Sequence, residues 1–181
     1  MSFDTVPAFV HYADWNDTSR KHPAMAWMEA YTNKYDEGLE VMAAELDKWH
    51  DSDFTYITST GKTVHGINEA FTALRETYGP LTAYHHEPYY LNSYAVGTSG
   101  DYEMIGLAKV YANLPGAPSS EQVVDQKGRK WEIAAPGGFK FYYRKSGDSF
   151  KLRKTEIVSD SGPIVTALLK KGVLKPEQLL T

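Results

Sequence analysis

Hydrophobic side chains recur at helical spacing in two stretches near the start of the chain. Pro23 suits the first turn of a helix, and the apolar positions i, i+3, i+4, i+7 and i+11 after it are Ala24, Trp27, Met28, Tyr31 and Tyr35. The same spacing returns in Leu39, Met42, Ala43 and Leu46. The pattern predicts helices over 23–35 and 37–49, with Asp36 as the cap of the second. Residues 1–21 have no such period, which predicts irregular structure.

Strand-like segments dominate the rest of the chain. Residues 54–58 are rich in β-branched and aromatic side chains, which fit a pleated surface. A third helical face follows at Phe71, Leu74 and Tyr78. The pattern then predicts four more strands, a turn and a loop: strands at about 82–93, 101–112, 130–144 and 149–159, a hairpin turn at 146–148 and a loop over 114–128. Pro163 opens a last amphipathic segment before Gly172.

The order of these elements predicts the fold class. Helices that precede a run of antiparallel strands indicate an α+β fold rather than a repeated βαβ unit. A curved antiparallel sheet packed by three N-terminal helices, with a C-terminal helical tail, makes a cone whose open end is a natural pocket. We expect one domain over 1–181, with a core at about 22–160, an N-terminal arm at 1–21 and a C-terminal tail at 161–181.

Composition excludes several classes of protein and site. The net charge is −4 with no basic stripe, so nucleic acid is not an expected partner. The chain has no cysteine, which excludes disulfides and thiolate ligands, and no His-x-His or His-Glu-x-x-His motif, so no metal is expected. It has neither a secretory signal pattern nor a membrane-length apolar stretch. We therefore expect a soluble, cytoplasmic protein without membrane contact.

Two neighbouring histidines are the first candidates for chemistry. His85 and His86 lie in a predicted strand, where adjacent side chains point to opposite faces, so at most one enters the pocket. Imidazole titrates near neutrality and suits general acid–base work. The alternative is one solvent-facing histidine beside one that is hydrogen-bonded for structure. Glu156 shares a predicted strand face with Phe150, Leu152 and Val158, which favours an inward orientation. An ion pair at the sheet edge with a lysine or arginine such as Arg144 is the alternative.

Two tyrosines and a carboxylate complete the candidate site. The hydroxyls of Tyr35 and Tyr56 are able to donate to a carbonyl oxygen and stabilise an enolate, or both rings are simply core residues. Asp36 is a candidate for orienting a histidine, and helix capping is its alternative role.

Short motifs in the same order resemble the nuclear transport factor two-like superfamily, including the SnoaL-like polyketide cyclases. The resemblance covers roughly residues 22–160. The motifs that carry it are Tyr35-Asp36, Phe54-Thr55-Tyr56, Val64-His65-Gly66, His85-His86 and Gly100-Asp101-Tyr102-Glu103. Within the superfamily the chain is most similar to scytalone dehydratase and related enzymes. That resemblance assigns functional positions to Tyr35, Asp36, Tyr56 and His86, with His85 as the alternative register.

The resemblance implies a mechanism but not a complete site. In the dehydratase a tyrosine-held water polarises a ketone, and a histidine moves protons in a syn elimination. Its second histidine aligns with Lys109 here, and a serine and an asparagine align near Gly137 and Phe139. These departures imply a different substrate or a different proton-transfer reaction.

The sequence therefore predicts a cofactor-free lyase or isomerase, of dehydratase or cyclase type, for a cyclic, carbonyl-bearing, polyketide-like molecule. The catalytic candidates are His86, His85, Tyr56, Tyr35 and Asp36. Aromatic side chains expected to bind the substrate are Trp27, Tyr31, Phe54, Phe71, Phe139 and Phe141. A non-catalytic binding protein or a protein-interaction module of the same fold is the alternative. We expect a homo-oligomer, either a dimer or a trimer.

Overall fold

The computed structural model describes residues 5–179. Its helices are α1 Pro23–Asp36, α2 Leu39–Ala43, α3 Leu46–Trp49, α4 Ile67–Tyr78 and α5 Gly162–Lys170, with 3₁₀ turns at Ser19–Lys21 and Pro176–Leu179. The single helix predicted over 37–49 was wrong. Gly38, with φ of 122°, precedes α2, and Glu45 leaves helical geometry before α3. Asp36 is the last residue of α1 and caps nothing in α2.

Seven strands form one curved sheet. Together with a separate two-stranded hairpin, the strands are β1 Ala8–His11, β2 His50–Ile57, β3 Thr63–His65, β4 Ala83–Val96, β5 Asp101–Asn113, β6 Val123–Val124, β7 Lys130–Trp131, β8 Ile133–Ser146 and β9 Ser149–Ser159. The sheet order is β1-β4-β5-β8-β9-β2-β3, and β6 pairs with β7 alone. The predicted α+β cone of a curved sheet packed by helices is confirmed.

Three details of the sheet differ from the prediction. The arm predicted to be irregular contains β1, which pairs with residues 91–94 of β4. The loop predicted over 114–128 contains β6. The sheet is mixed rather than wholly antiparallel, because β2 runs parallel to β9. The predicted hairpin at 146–148 joins β8 to β9, and Gly147 supplies the positive φ of 58° in that turn.

Two β-bulges change which side chains face the core. The register shifts between Pro88 and Tyr90 in β4, and again where Arg153 of β9 has no partner in β8. An extra residue moves every later side chain to the opposite face. Glu156 therefore shares the outer face with Val158, which is 69% exposed. The prediction that Glu156 points inward was wrong.

The helices and the inner face of the sheet enclose an aromatic-rich core. Its fully buried members include Phe54, Tyr56, Met28, Leu91 and Leu152. Burying such side chains is the main source of stability in a domain of this size.

The C-terminal segment is joined to the sheet by one buried carboxylate. Glu132 accepts hydrogen bonds from the backbone N–H groups of Leu114 and Ser119, each at 2.6 Å, and from Nζ of Lys171 at 2.7 Å. Leu180 of the predicted apolar tail lies outside the described residues. The division into arm, core and tail stays a prediction. Within residues 5–179, no helix has the length and apolar character needed to span a bilayer.

Candidate active site

Asp36 lies at the free edge of β4. Among the described residues, β1 pairs with β4 only at 91–94, so the backbone N–H of His86 has no strand beside it. The Asp36 carboxylate takes that place and accepts from this N–H at 3.1 Å. Because α1 ends at Asp36, the end of the helix is fixed against the edge of the sheet.

The same carboxylate holds both histidines. Nδ1 of His85 lies 2.7 Å from Oδ2 of Asp36, and Nδ1 of His86 lies 2.6 Å from Oδ1. An ionised carboxylate only accepts hydrogen bonds, so both Nδ1 atoms carry a proton. Each neutral imidazole then has its lone pair on Nε2, the arrangement that a general base needs.

The pKa of Asp36 shows how strongly the imidazoles hold its charge. Burial would raise this pKa, but the electrostatic interaction with the His86 ring and the hydrogen bonds from both imidazoles outweigh burial. The pKa of Asp36 therefore lies below its usual value, and the group is ionised at neutral pH.

His86 faces the interior of the cone. Its Nε2 lies 2.8 Å from the hydroxyl of Tyr78, the last residue of α4. The rings of Tyr35 and Tyr84 lie 6.0 and 5.8 Å from the imidazole. The hydroxyls of Tyr35 and Tyr84 are buried and have no hydrogen-bond partner among the described residues. These hydroxyls are therefore two available donors on rings that pack beside an oriented imidazole.

His85 faces the other side of the sheet. Its ring lies beside those of Tyr111 and Trp131, at centroid distances of 6.4 and 6.1 Å. Its Nε2 is buried and has no hydrogen-bond partner within residues 5–179. As the strand period predicts, only one of the two neighbouring imidazoles points into the cone.

The other predicted residues lie in the core. Tyr56 is 2% exposed, and burial raises the pKa of its hydroxyl. All six aromatic residues predicted to bind substrate lie in the hydrophobic core or pack against it: Trp27, Tyr31, Phe54, Phe71, Phe139 and Phe141. Their part in binding stays a prediction.

Small side chains lie opposite His86 across the sheet. Val110 of β5, not Lys109, is its cross-strand partner, and Ala135 of β8 is the next residue along the row. Lys109 is exposed on the outer face. The residue aligned with the dehydratase's second histidine therefore does not lie in the row opposite His86.

Two cavities described in the structure lie away from the histidines. One, of about 380 Å³, is lined by residues 43–48 and Asn68. The other, of about 580 Å³, lies between α5, the start of β8 and the 114–123 segment. The predicted open pocket around His86 is not among them, because tyrosine side chains pack around the imidazole. Among the described residues, no group of three or more metal-ligating side chains is arranged to hold a metal ion.

Four residues of this region were missed by the sequence analysis. Tyr78 was interpreted only as part of a helical face, and no role was assigned to Tyr84. Tyr111 and Trp131 lie on separate strands, and only the pairing of β5 with β4 and the β6–β7 hairpin bring them to His85. The alternation of side chains along β4 and β5 was the one sequence signal that could have grouped Tyr84 with His86 and Tyr111 with His85.

No family model matches the chain, and no curated protein matches it in sequence. Solved structures do match its fold. Aln2 from a Streptomyces species has a TM-score of 0.58 at 10% identity, covering 80% of this chain and 93% of that chain. The Kfla4162 protein from Kribbella flavida has a TM-score of 0.57 at 16% identity, covering 80% and 92%. A hexachlorocyclohexane dehydrochlorinase, LinA type 2, has a TM-score of 0.55 at 14% identity, covering 80% and 90%. The chain thus has the fold of the nuclear transport factor two-like superfamily.

Proposed function

We propose that the protein is a cofactor-independent lyase or isomerase that removes a proton next to a carbonyl group. One observation carries the proposal: Asp36 binds Nδ1 of His86 at 2.6 Å and so directs the basic Nε2 toward the inner tyrosines. A carboxylate that holds an imidazole in this way fixes its tautomer and stabilises the imidazolium formed during reaction.

His86 is the base in this mechanism. Its Nε2 takes the proton from the carbon next to the carbonyl, and the electrons of the broken C–H bond move onto the carbonyl oxygen. Asp36 balances the charge of the resulting imidazolium. Tyr78, which donates to Nε2 in the resting protein, must turn away as the substrate approaches, and it accepts from the protonated ring afterwards.

Tyr35 and Tyr84 hold the carbonyl oxygen. Burial raises the pKa of Tyr35 well above its usual value and that of Tyr84 to about 12, so both hydroxyls remain protonated donors at neutral pH. A donor fixed where negative charge develops lowers the barrier most. Return of the proton from His86 to a different carbon gives isomerisation, and its transfer to a β-hydroxyl, which then leaves as water, gives dehydration.

The surroundings favour a cyclic, polyketide-like substrate. Tyrosine rings surround His86, and flat organic ligands pack well on such surfaces. One structure with the same fold is named a hexachlorocyclohexane dehydrochlorinase, which supports an elimination on a ring compound as chemistry that the fold accommodates.

Proton exchange tests the proposal without knowledge of the natural substrate. The protein is incubated in D₂O with ring ketones such as α- and β-tetralone, and deuterium incorporation next to the carbonyl is followed by NMR. His86→Gln should slow incorporation by roughly 10²–10⁴-fold. His65→Gln is the matched control, because His65 is exposed. A wild-type rate in His86→Gln would refute the assignment.

A non-catalytic binding protein is the second candidate. The packed tyrosines around His86 and the position of both described cavities away from it favour this alternative. Tight binding of a tetralone with no incorporation of deuterium would establish it.

We also propose a homo-oligomer formed through the outer face of the sheet. Ile105 and Leu107 are each 42% exposed there, beside Val158. Adjacent exposed apolar side chains on a sheet face are typical of an interface. Light scattering at several protein concentrations tests this, and a monomer mass throughout would exclude it.

A further inference from the structure

Nε2 of His85 is a buried hydrogen-bonding atom that no described residue satisfies. His85 is 6% exposed. Since its Nδ1 donates to Asp36, Nε2 of the neutral ring is an acceptor. Leaving a buried acceptor unpaired costs about 1–3 kcal/mol. Such an atom indicates a donor that is supplied from outside the chain.

Two aromatic side chains lie beside the His85 imidazole, with their rings nearly parallel to it. The rings of Tyr111 and Trp131 are tilted by 22° and 17° from the imidazole plane. The Tyr111 hydroxyl donates to Glu87 at 3.1 Å, and Nε1 of Trp131 donates to Asp125 at 2.9 Å. Neither polar group is therefore free to bond Nε2, and the surroundings of Nε2 are a stacking surface.

Carboxylates dominate the charge around His85. Glu87 and Asp125 are 2% and 5% exposed, and Asp36 is bound to Nδ1. Asp14 is close enough that Glu87, His85 and Lys127 all influence its pKa, which burial raises. Arg129 is already bound to Asp125 at 2.6 Å. An anionic ligand would meet repulsion from these carboxylates, whereas a neutral one would not.

We propose that His85, Tyr111 and Trp131 form a second small-molecule site, on the outer face of the β4–β5 pair. It takes a neutral, planar ring that carries a hydroxyl or N–H donor. The donor binds Nε2 of His85, and the ring stacks on the two aromatic side chains. The site goes beyond the function proposed for His86, because it lies on the opposite face of the sheet.

The β6–β7 hairpin covers this site and provides the way in. Its strands have two residues each. One hydrogen bond, from the backbone N–H of Gln126 to Oε2 of Glu87 at 2.8 Å, ties its turn to β4. Segments with few anchoring contacts open at low free-energy cost. A ligand therefore enters when the turn at Gln126 lifts away from Glu87, while Trp131 stays beside Tyr111.

Phenol and toluene are matched probes for this site. They have the same size, but only phenol carries a donor. Each is titrated into the full-length protein and followed by backbone NMR and by the imidazole ¹⁵N shift of His85. We expect saturable shifts at His85, Tyr111 and Trp131, and phenol affinity roughly two- to tenfold above that of toluene, as one net hydrogen bond provides. Benzoate should cause no such shifts.

A variant tests the contribution of Nε2. His85→Phe keeps a flat ring but removes the acceptor together with the Nδ1 hydrogen bond to Asp36, so the preference for phenol over toluene should disappear, whereas His65→Phe should retain it. Equal affinities in the wild type, shifts confined to the inner residues Tyr35, Tyr84 and His86, or no saturable binding would each overturn the proposal. The wild-type ratio decides the question even if His85→Phe fails to fold, and none of these results depends on proton exchange at His86.

Discussion

The hydroxyl of Tyr78 lies 2.8 Å from Nε2 of His86, while Nδ1 of the same ring is bound to Asp36. Both ends of the imidazole are thus held, by the C-terminal residue of α1 on one side and that of α4 on the other. The orientation of this side chain depends on where two helices end. That dependence makes the three residues a unit that single substitutions can test.

Tyr78→Phe should impair proton exchange at the proposed site. The variant keeps the ring but removes the partner of the protonated Nε2, an interaction with a charged group worth about 1.5–3 kcal/mol. We expect exchange to fall roughly 10- to 100-fold, with a changed pH profile, in the D₂O assay. Tyr12→Phe is the control, since Tyr12 is 76% exposed. An unchanged rate and pH profile would remove Tyr78 from the mechanism.

Asp36→Asn should destabilise the fold. The amide can accept a hydrogen bond from one Nδ1–H, but its NH₂ group then faces the other as a second donor. Breaking a largely buried charged interaction of this kind costs roughly 2–4 kcal/mol. Urea unfolding measures the change, with Asp17→Asn as control because the Asp17 side chain is 98% exposed. A decrease of less than about 0.5 kcal/mol in the free energy of unfolding, the range of ordinary surface substitutions, would show that the carboxylate contributes little to stability.

The sequence predicted most helices and strands well, but it predicted less well which face of the sheet each strand side chain occupies. Helical spacing after Pro23 located α1, and the Tyr35-Asp36 resemblance located the carboxylate that binds the histidines. The bulge at Arg153 could not be predicted from the sequence, because a bulge leaves the composition of a strand unchanged. It nevertheless moves each later side chain of the strand to the opposite face of the sheet. Tyr78 could not be assigned to His86 because that contact depends on the tertiary position of α4.

Gly106→Ala should destabilise the protein, whereas Gly137→Ala should be tolerated. An added Cβ at Gly106 would collide with the ring of Phe139 and would lie 2.8 Å from the backbone oxygen of Tyr90. At Gly137 the nearest atoms would be 3.9 and 4.0 Å away, which is ordinary contact. Overpacking typically costs about 1–3 kcal/mol. Thermal unfolding of both variants checks this, and equal stabilities would contradict the packing of Phe139 over β5.

His50 should make the protein less stable in mild acid. It is 2% exposed, and both ring nitrogens are bound, Nδ1 by the backbone oxygen of Leu46 and Nε2 by the hydroxyl of Tyr31, each at 3.1 Å. Burial lowers the pKa of His50 from 6.5 to about 4. Between these two values the unfolded chain binds a proton that the folded chain refuses, so the free energy of unfolding falls as the pH falls.

The size of this effect follows from the same two pKa values. At about 1.4 kcal/mol per pKa unit, the loss reaches roughly 3 kcal/mol by pH 4 and is absent above pH 6.5. Urea unfolding at several pH values measures it. His50→Gln should flatten the curve between pH 6.5 and 4, while His65→Gln, at an exposed position, should leave the wild-type slope. Parallel curves for wild type and His50→Gln would mean that His50 accepts a proton in the folded protein, and that its contacts with Tyr31 and Leu46 do not hold it neutral.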